Sequence, residues 1–318
     1  MSKTMQRVET LWFANGADVV LQAGDKIFRV PRSILTARSP VFRDLLEIPA
    51  VGDKIMDGVP VIQLSESAKE IEAFLKAIYD SSYFMPPPAP ISFAEVFAIL
   101  RLAHKYDVDY LFRRAVEHLE TRYHQNLKDV ESEDMFIVER ITVQLKFSTG
   151  VQALMCHVFA VSILHEVEAL WLLPYAYYII ARSRLKDLIT PNEGWDYCPP
   201  YRKDVVFQAR TLQVAATDRL LAALTSPSDC PTTDKCNLAK FAYLKRCLDS
   251  LNRYFAVDPI HKYALSGREG FVKKLCPGCA AEAQKSYSTV RQQIWDELPQ
   301  NCGLPEWDVL RAMRKKRL

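Results

Sequence analysis

Ala17-Asp18-Val19-Val20-Leu21, then Gly24-Asp25, then Ile27-Phe28-Arg29-Val30-Pro31-Arg32-Ser33-Ile34-Leu35 and Ser39-Pro40-Val41-Phe42, is the stretch whose reading decides the fold. Val19, Val20 and Leu21 form a short run rich in branched residues, the composition of a strand. Gly24-Asp25 is a turn signal, and Ile27, Phe28 and Val30 make a second strand, so the pair reads as a hairpin. Ser39 fits a helix N-cap and Pro40 the first helical turn. Phe42, Leu45 and Leu46 then fall on one helical face and are expected to point inward.

Outward from this stretch, Val59–Leu64 reads as another strand. Ser65 or Ser67 caps a helix whose apolar positions are Ile71, Phe74, Leu75, Ile78 and Tyr79, the spacing of an amphipathic helix. Residues 85–90, with four prolines, form an extended connector. A helix begins at Ser92 with Phe93, Val96, Phe97, Leu100 and His104 in register. After Asp107 another follows, with Leu111, Phe112, Ala115 and Leu119 inward. From about residue 125 no alternating β-branched run appears, while helical periodicity continues. Helices are expected over 151–173, 175–188, 205–224, 238–251 and 280–298. A last one starts near Pro305, carrying Trp307, Leu310 and Met313, and loops lie at 190–200 and 225–235. The domain boundary is placed between residues 125 and 134.

Composition narrows the function classes. The 318 residues, 49% apolar and 25% charged, suit a globular chain of one large or two ordinary domains, not a disordered or collagen-like one. No run reaches the roughly 18 apolar residues of a membrane helix. The longest apolar-rich piece, 169–181, carries Pro174, and the first nine residues hold no signal-peptide segment. With 10 glycines and no G-x-G-x-x-G or G-x-x-x-x-G-K-[ST] run, the sequence weighs against glycine-rich nucleotide-binding folds. A net charge of +3 gives no argument for nucleic acid or an anionic membrane as partner. Eight cysteines without a secretory signal point to reduced thiols in the cytoplasm or nucleus.

The N-terminal part resembles a BTB/POZ domain. The resemblance is carried by the opening stretch, by Ile78-Tyr79-Asp80, and by Leu102-Ala103-His104-Lys105-Tyr106-Asp107-Val108 with Leu111, in family order across about residues 14–124. The chain is also similar to the large BTB group of mushroom-forming fungi, through the lead Thr10-Leu11-Trp12-Phe13-Ala14-Asn15-Gly16. Later pieces extend that similarity: Leu173-Pro174-Tyr175-Ala176-Tyr177-Tyr178, Ile294-Trp295-Asp296-Glu297-Leu298-Pro299 and Gly303-Leu304-Pro305-Glu306-Trp307. Pro31 departs from the family, where histidine is common, and Asn15-Gly16 stands where the group often has Asp-Gly. The resemblance implies a BTB/POZ fold, a short sheet capped by helices, over 14–126; with the helical periodicity that follows, the class expected is α+β, this fold and then an all-α region over 127–318. It implies self-association and partner binding without catalysis. It also implies a pairing of Asp18 with Arg32, which a buried aspartate would need on physical grounds as well; the alternative is that Asp18 ends a turn and Arg32 is solvated.

Trp12 and Phe13, beside Val19, Leu21 and Phe28, are more apolar than one hairpin needs. The lead is therefore expected to pack across a two-fold homodimer interface, or else inside the chain against the helix of Phe93 and Phe97. The interface residues on this reading are Trp12, Phe13, Asp18 and Arg32.

Cys276-Pro277-Gly278-Cys279 carries the strongest chemical signal. A C-x-x-C knuckle aims two sulfurs at one point, as tetrahedral zinc requires, and Cys230 and Cys236 offer a second pair. The four could hold one structural zinc; the alternative is ordinary reduced thiols at a helix start. Cys156 and Cys247 read as core, and Cys198 and Cys302 as loop residues. His165-Glu166 lacks the second histidine of an H-E-x-x-H site, and no G-x-S-x-G motif exists. The basic cluster Arg311, Arg314, Lys315, Lys316 and Arg317 reads as a solvated helix end in preference to a nuclear import signal or a patch for an acidic partner. The function expected is thus a non-enzymatic scaffold that self-associates. The alternative is a substrate adaptor of a cullin-type ubiquitin ligase. A metal-dependent enzyme is the third reading, weakened because four cysteine ligands leave no open position on the metal.

Overall fold

Strand β2 (Val19–Ala23) is buried along its whole length, as a short β-branched run at the centre of a sheet must be. It pairs antiparallel with β3 (Lys26–Val30), Val19 opposite Val30 and Leu21 opposite Phe28. Gly24, at φ 57°, supplies the left-handed backbone that the tight hairpin turn needs. On its other side β2 pairs parallel with β5 (Val59–Leu64), which pairs in turn with the two-residue β4 (Ile55–Met56). The outer strand is β1 (Gln6–Trp12), parallel to β3, giving the order β1-β3-β2-β5-β4. The structure is a computed structural model describing residues 5–16, 18–47, 55–132, 150–183, 188, 200–227, 229–254, 258–261, 265 and 267–318.

Between β3 and β4 run α1 (Arg32–Arg38) and α2 (Pro40–Glu47). Ser39, fully buried at the corner, accepts a hydrogen bond from the Phe42 amide at 3.0 Å, the expected N-cap, and donates to the Tyr106 carbonyl. Phe42 stacks on Tyr106 at 4.3 Å. Leu45 is exposed, contrary to the inward face expected for it: α2 lies on the surface, so only Phe42 of that row is fully buried.

Helices α3 (Ala68–Tyr79) and α4 (Phe93–Lys105) each open with a complete capping box, Ser67 with Glu70 and Ser92 with Glu95. The first settles Ser67 over Ser65 as the cap. A left-handed Asp107 (φ 53°) ends α4, with the Val108 amide bonded to the Ala103 carbonyl, and α5 (Asp109–Glu120) follows.

The chain divides into two compact units between Arg122 and Tyr123. Among the described residues of the second unit the helices are α6 (Leu127–Ser132), α7 (Gly150–Glu166), α8 (Leu173–Ala181), α9 (Pro200–Thr225), α10 (Thr233–Tyr254), α11 (Arg268–Val272), α12 (Pro277–Asn301) and α13 (Trp307–Arg317). The single helix expected over 151–173 is two elements. Glu168 takes left-handed backbone (φ 57°), the Ala169 amide closes on the Leu164 carbonyl, and a 3₁₀ turn (Leu170–Leu172) leads into α8, where Pro174 sits in the first turn. Every residue of α8 is buried, the mark of a helix enclosed on all sides.

Tyr175 of α8, Trp295 of α12 and Trp307 of α13 pack together. Trp295 and Trp307 stack at 5.1 Å, and the Trp307 indole N–H donates to the Trp295 carbonyl at 2.8 Å. A second cluster joins Leu220, Leu221 and Leu224 of α9, Tyr243 and Cys247 of α10, Phe271 of α11 and Tyr287 of α12. Cys198, most of the 190–200 loop and the end of the 175–188 helix fall outside the described residues.

Candidate metal centre and interaction surface

Of the four residues expected at an interface, Phe13, Asp18 and Arg32 lie around the start of α1, and Trp12 does not. Phe13 leaves β1 and its ring meets Tyr79 at 5.5 Å. The Tyr79 hydroxyl donates to the Pro31 carbonyl at 2.8 Å. Burial, with the Asp18 carboxylate nearby, raises the Tyr79 hydroxyl far above its usual value and keeps it a neutral donor.

Asp18 accepts from the Arg32 backbone amide at 2.5 Å, while the Arg32 guanidinium donates to the Leu46 carbonyl at 2.7 Å. The expected Asp18–Arg32 pairing thus exists, but through the main chain: Asp18 is exposed and satisfies a free amide of α1, a capping role in place of a buried ion pair. Trp12 turns to the other side. It packs on the sheet face formed by Val20, Ile27, Val59 and Val61, with the Arg7 guanidinium 4.6 Å above its ring. Neither aromatic takes the place expected against Phe93 and Phe97 in these contacts.

Along α1 and α2 three apolar side chains, Ile34, Val41 and Leu45, are each 37–40% exposed. The stretch containing them is legible in the sequence, but which of its apolar residues face outward is not, because each helix is only two turns long.

The cysteines come together in the second unit. Cys230 lies in the turn before α10 and Cys236 within that helix's second turn, whereas Cys276 is the N-cap of α12 and Cys279 sits in its first turn. Their four sulfurs lie within 4.8 Å of one another. None of the four is in a disulfide, and two are buried and two half-exposed. The Cys276 backbone amide donates to Cys236 Sγ at 3.3 Å, and the Thr232 hydroxyl lies 3.4 Å from the same sulfur. Desolvation opposes ionisation of Cys230, but hydrogen bonds from Thr232 and from Cys279 and Cys236 outweigh it and bring this thiol down to about 6. Hydrogen bonds from Cys279 likewise lower Cys276. Four convergent sulfurs, with Cys230 and Cys276 lowered in proton affinity, can hold a soft metal ion in tetrahedral geometry.

A family model of the BTB/POZ domain matches residues 11–123, which hold strands β2 to β5, the end of β1 and the helices α1 to α5. Residues 11–123 form a BTB/POZ domain. No curated protein matches the chain.

The BTB/POZ domain is a protein–protein interaction module, and the surface around α1 belongs to it, whereas the cysteine cluster belongs to the helical unit that follows. Cys247 is in the core as expected, Cys156 is half-buried in α7, and Cys302 is buried at the end of α12, where desolvation pushes its thiol up to about 12. His104 of the BTB/POZ signature is half-buried against Phe112, a packing position. In the second unit the His157 ring meets the Tyr123 hydroxyl at 2.9 Å, and His165 meets that of Tyr177 at 3.2 Å, so both histidines are held by tyrosines in the described contacts. The basic cluster forms the last turns of α13. Among the described residues no helix is long and apolar enough to cross a membrane.

Proposed function

We propose that this protein is a non-enzymatic scaffold that self-associates through its BTB/POZ domain, over residues 14–126, and engages further partners through the helical region 127–318. The observation that carries the reading is the unpartnered apolar face of α1 and α2, Ile34, Val41 and Leu45, on a domain of a family that binds other proteins. Phe13, Asp18 and Arg32 border this face through Tyr79 and the start of α1; Trp12, folded onto its own sheet, contributes by holding β1 in place. A second copy of the chain is the partner, since a self-complementary patch generates a closed dimer. Sedimentation of the full chain at micromolar concentration is expected to show a dimer, and a monomer at that concentration overturns the reading.

A cullin-type ubiquitin ligase scaffold is the partner in a second reading, in which the separate helical unit joined to the BTB/POZ domain would hold the substrate. Recovery of a cullin with the tagged protein, identified by mass spectrometry, separates adaptor from scaffold. In both readings the thiols stay reduced, as in the cytoplasm or nucleus. A zinc ion at the cysteine cluster would serve folding, because four protein ligands leave no position for a substrate.

A further inference from the structure

We propose that Cys230, Cys236, Cys276 and Cys279 bind one zinc ion as a closed four-thiolate site that latches the start of α10 to the start of α12. The inference goes beyond the scaffold reading, and a metal-free protein would leave the dimer measurement untouched.

Three observations converge. The first is the placement of the donors. The 39 residues separating Cys236 from Cys276 return the chain so that two sequence-distant pairs meet within 4.8 Å. A tetrahedral zinc site with bonds of about 2.3 Å has sulfur–sulfur edges of about 3.8 Å, so the longest present separation has to close by about 1 Å. That is a side-chain adjustment, not a backbone one. The second is the hydrogen bonding. The Cys276 amide points at Cys236 Sγ, and the Thr232 hydroxyl stands near the same sulfur. An N–H aimed at sulfur favours the thiolate over the thiol, since a thiolate is the better acceptor. The third is the setting. Both pairs straddle the starts of long helices, 22 residues for α10 and 25 for α12, with Cys276 as the α12 cap. Four thiolates around a divalent ion carry a net negative charge, and two helix N-termini present partial positive charge to it.

Binding is an exchange of protons for metal. Each thiol releases its proton to solvent as its sulfur bonds the ion, and the ion sheds its water. Sulfur-only tetrahedral coordination selects zinc, or iron as the competitor, over magnesium and calcium, which require oxygen ligands. The consequence is architectural. The satellite core that unites Leu224, Tyr243, Phe271 and Tyr287 is built from α9, α10, α11 and α12, and the ion closes one end of it by fixing α10 to α12.

The test uses the full chain purified without chelator. Elemental analysis is expected to give about one zinc per chain, and X-ray absorption a shell of four sulfurs at about 2.3 Å. Cys276→Ser should lose the metal, whereas Cys247→Ser, outside the cluster, should keep it. Should Cys276→Ser fail to fold, thiol labelling of the unmodified protein decides: four thiols are expected to stay protected until a strong chelator is added. Metal content near zero with the four thiols labelled freely, a shell that includes oxygen or nitrogen, or iron in place of zinc would each overturn the proposal.

Discussion

Ser39 shows how one side chain can set a domain's geometry. It is fully buried, accepts from the Phe42 amide and donates to the Tyr106 carbonyl, so it fixes the α1–α2 corner against the end of α4. Ser39→Ala strands a buried amide and a buried carbonyl together, and is expected to destabilise the BTB/POZ domain by about 1–3 kcal/mol in urea titrations. Three glutamates give the same domain an acid limit. At Glu66, burial works against the charge, but hydrogen bonds from Lys105 and Tyr106 win and lower its proton affinity. Glu72 is lowered against desolvation by Lys26 and Lys76, and Glu95 by Ser92 and Tyr83. A carboxylate that binds its proton more weakly when folded stabilises the fold above its unfolded value, about 4.3, and loses that contribution as pH falls through the lower folded value. Thermal melts are therefore expected to be insensitive to these groups between pH 7 and 5 and to drop below about pH 4. Glu72→Gln should make that drop shallower.

At the level of elements, legibility followed exposure and punctuation. Helices α3, α4 and α5 were readable because each has one apolar stripe, and the first two carry Ser-x-x-Glu at the start. Ser92→Ala is expected to cost about 1 kcal/mol, read from the melting of the domain, because Glu95 loses its reciprocal partner as well. Strand β1 was not readable as a strand: it is an edge strand with most residues exposed, so it has no alternating pattern to detect. The break between α7 and α8 was hidden for the opposite reason. Apolar residues continue through it, and the turn rests on a left-handed glutamate where glycine or asparagine is the usual signal. Helices α10 and α12 begin earlier than periodicity suggests, since α10 opens on the polar Thr233, Asp234 and Lys235 and α12 on Pro277-Gly278, none of which carries an apolar signal. That shift matters for the site, because it places Cys236 and Cys279 on helices. The C-x-x-C pair was visible from spacing alone; its meeting with Cys230 and Cys236 depends on how 39 intervening residues return, which no local pattern encodes.

For the whole molecule, the two units should respond to different perturbations. Removing metal from the second unit with a chelator is expected to lower the melting of the helical region, since binding free energy at such a site is folding free energy. The BTB/POZ transition should stay in place; a shift of both transitions together would argue for one cooperative unit. Self-association can be located by two contrasting variants. Leu45 is exposed on α2, so Leu45→Asp removes little buried surface and is expected to change stability by no more than about 0.5 kcal/mol. If α1 and α2 form the dimer face, the same variant buries a charge against apolar partners and should give a monomer by sedimentation. Trp12 covers Val20, Ile27 and Val61 within its own chain, so Trp12→Ala should instead lower stability by about 1–3 kcal/mol, less than for a fully buried ring. It should still dimerise while folded. The reverse outcome, a monomeric but stable Trp12→Ala beside a dimeric Leu45→Asp, would move the interface from the α1–α2 face to the outer strand β1.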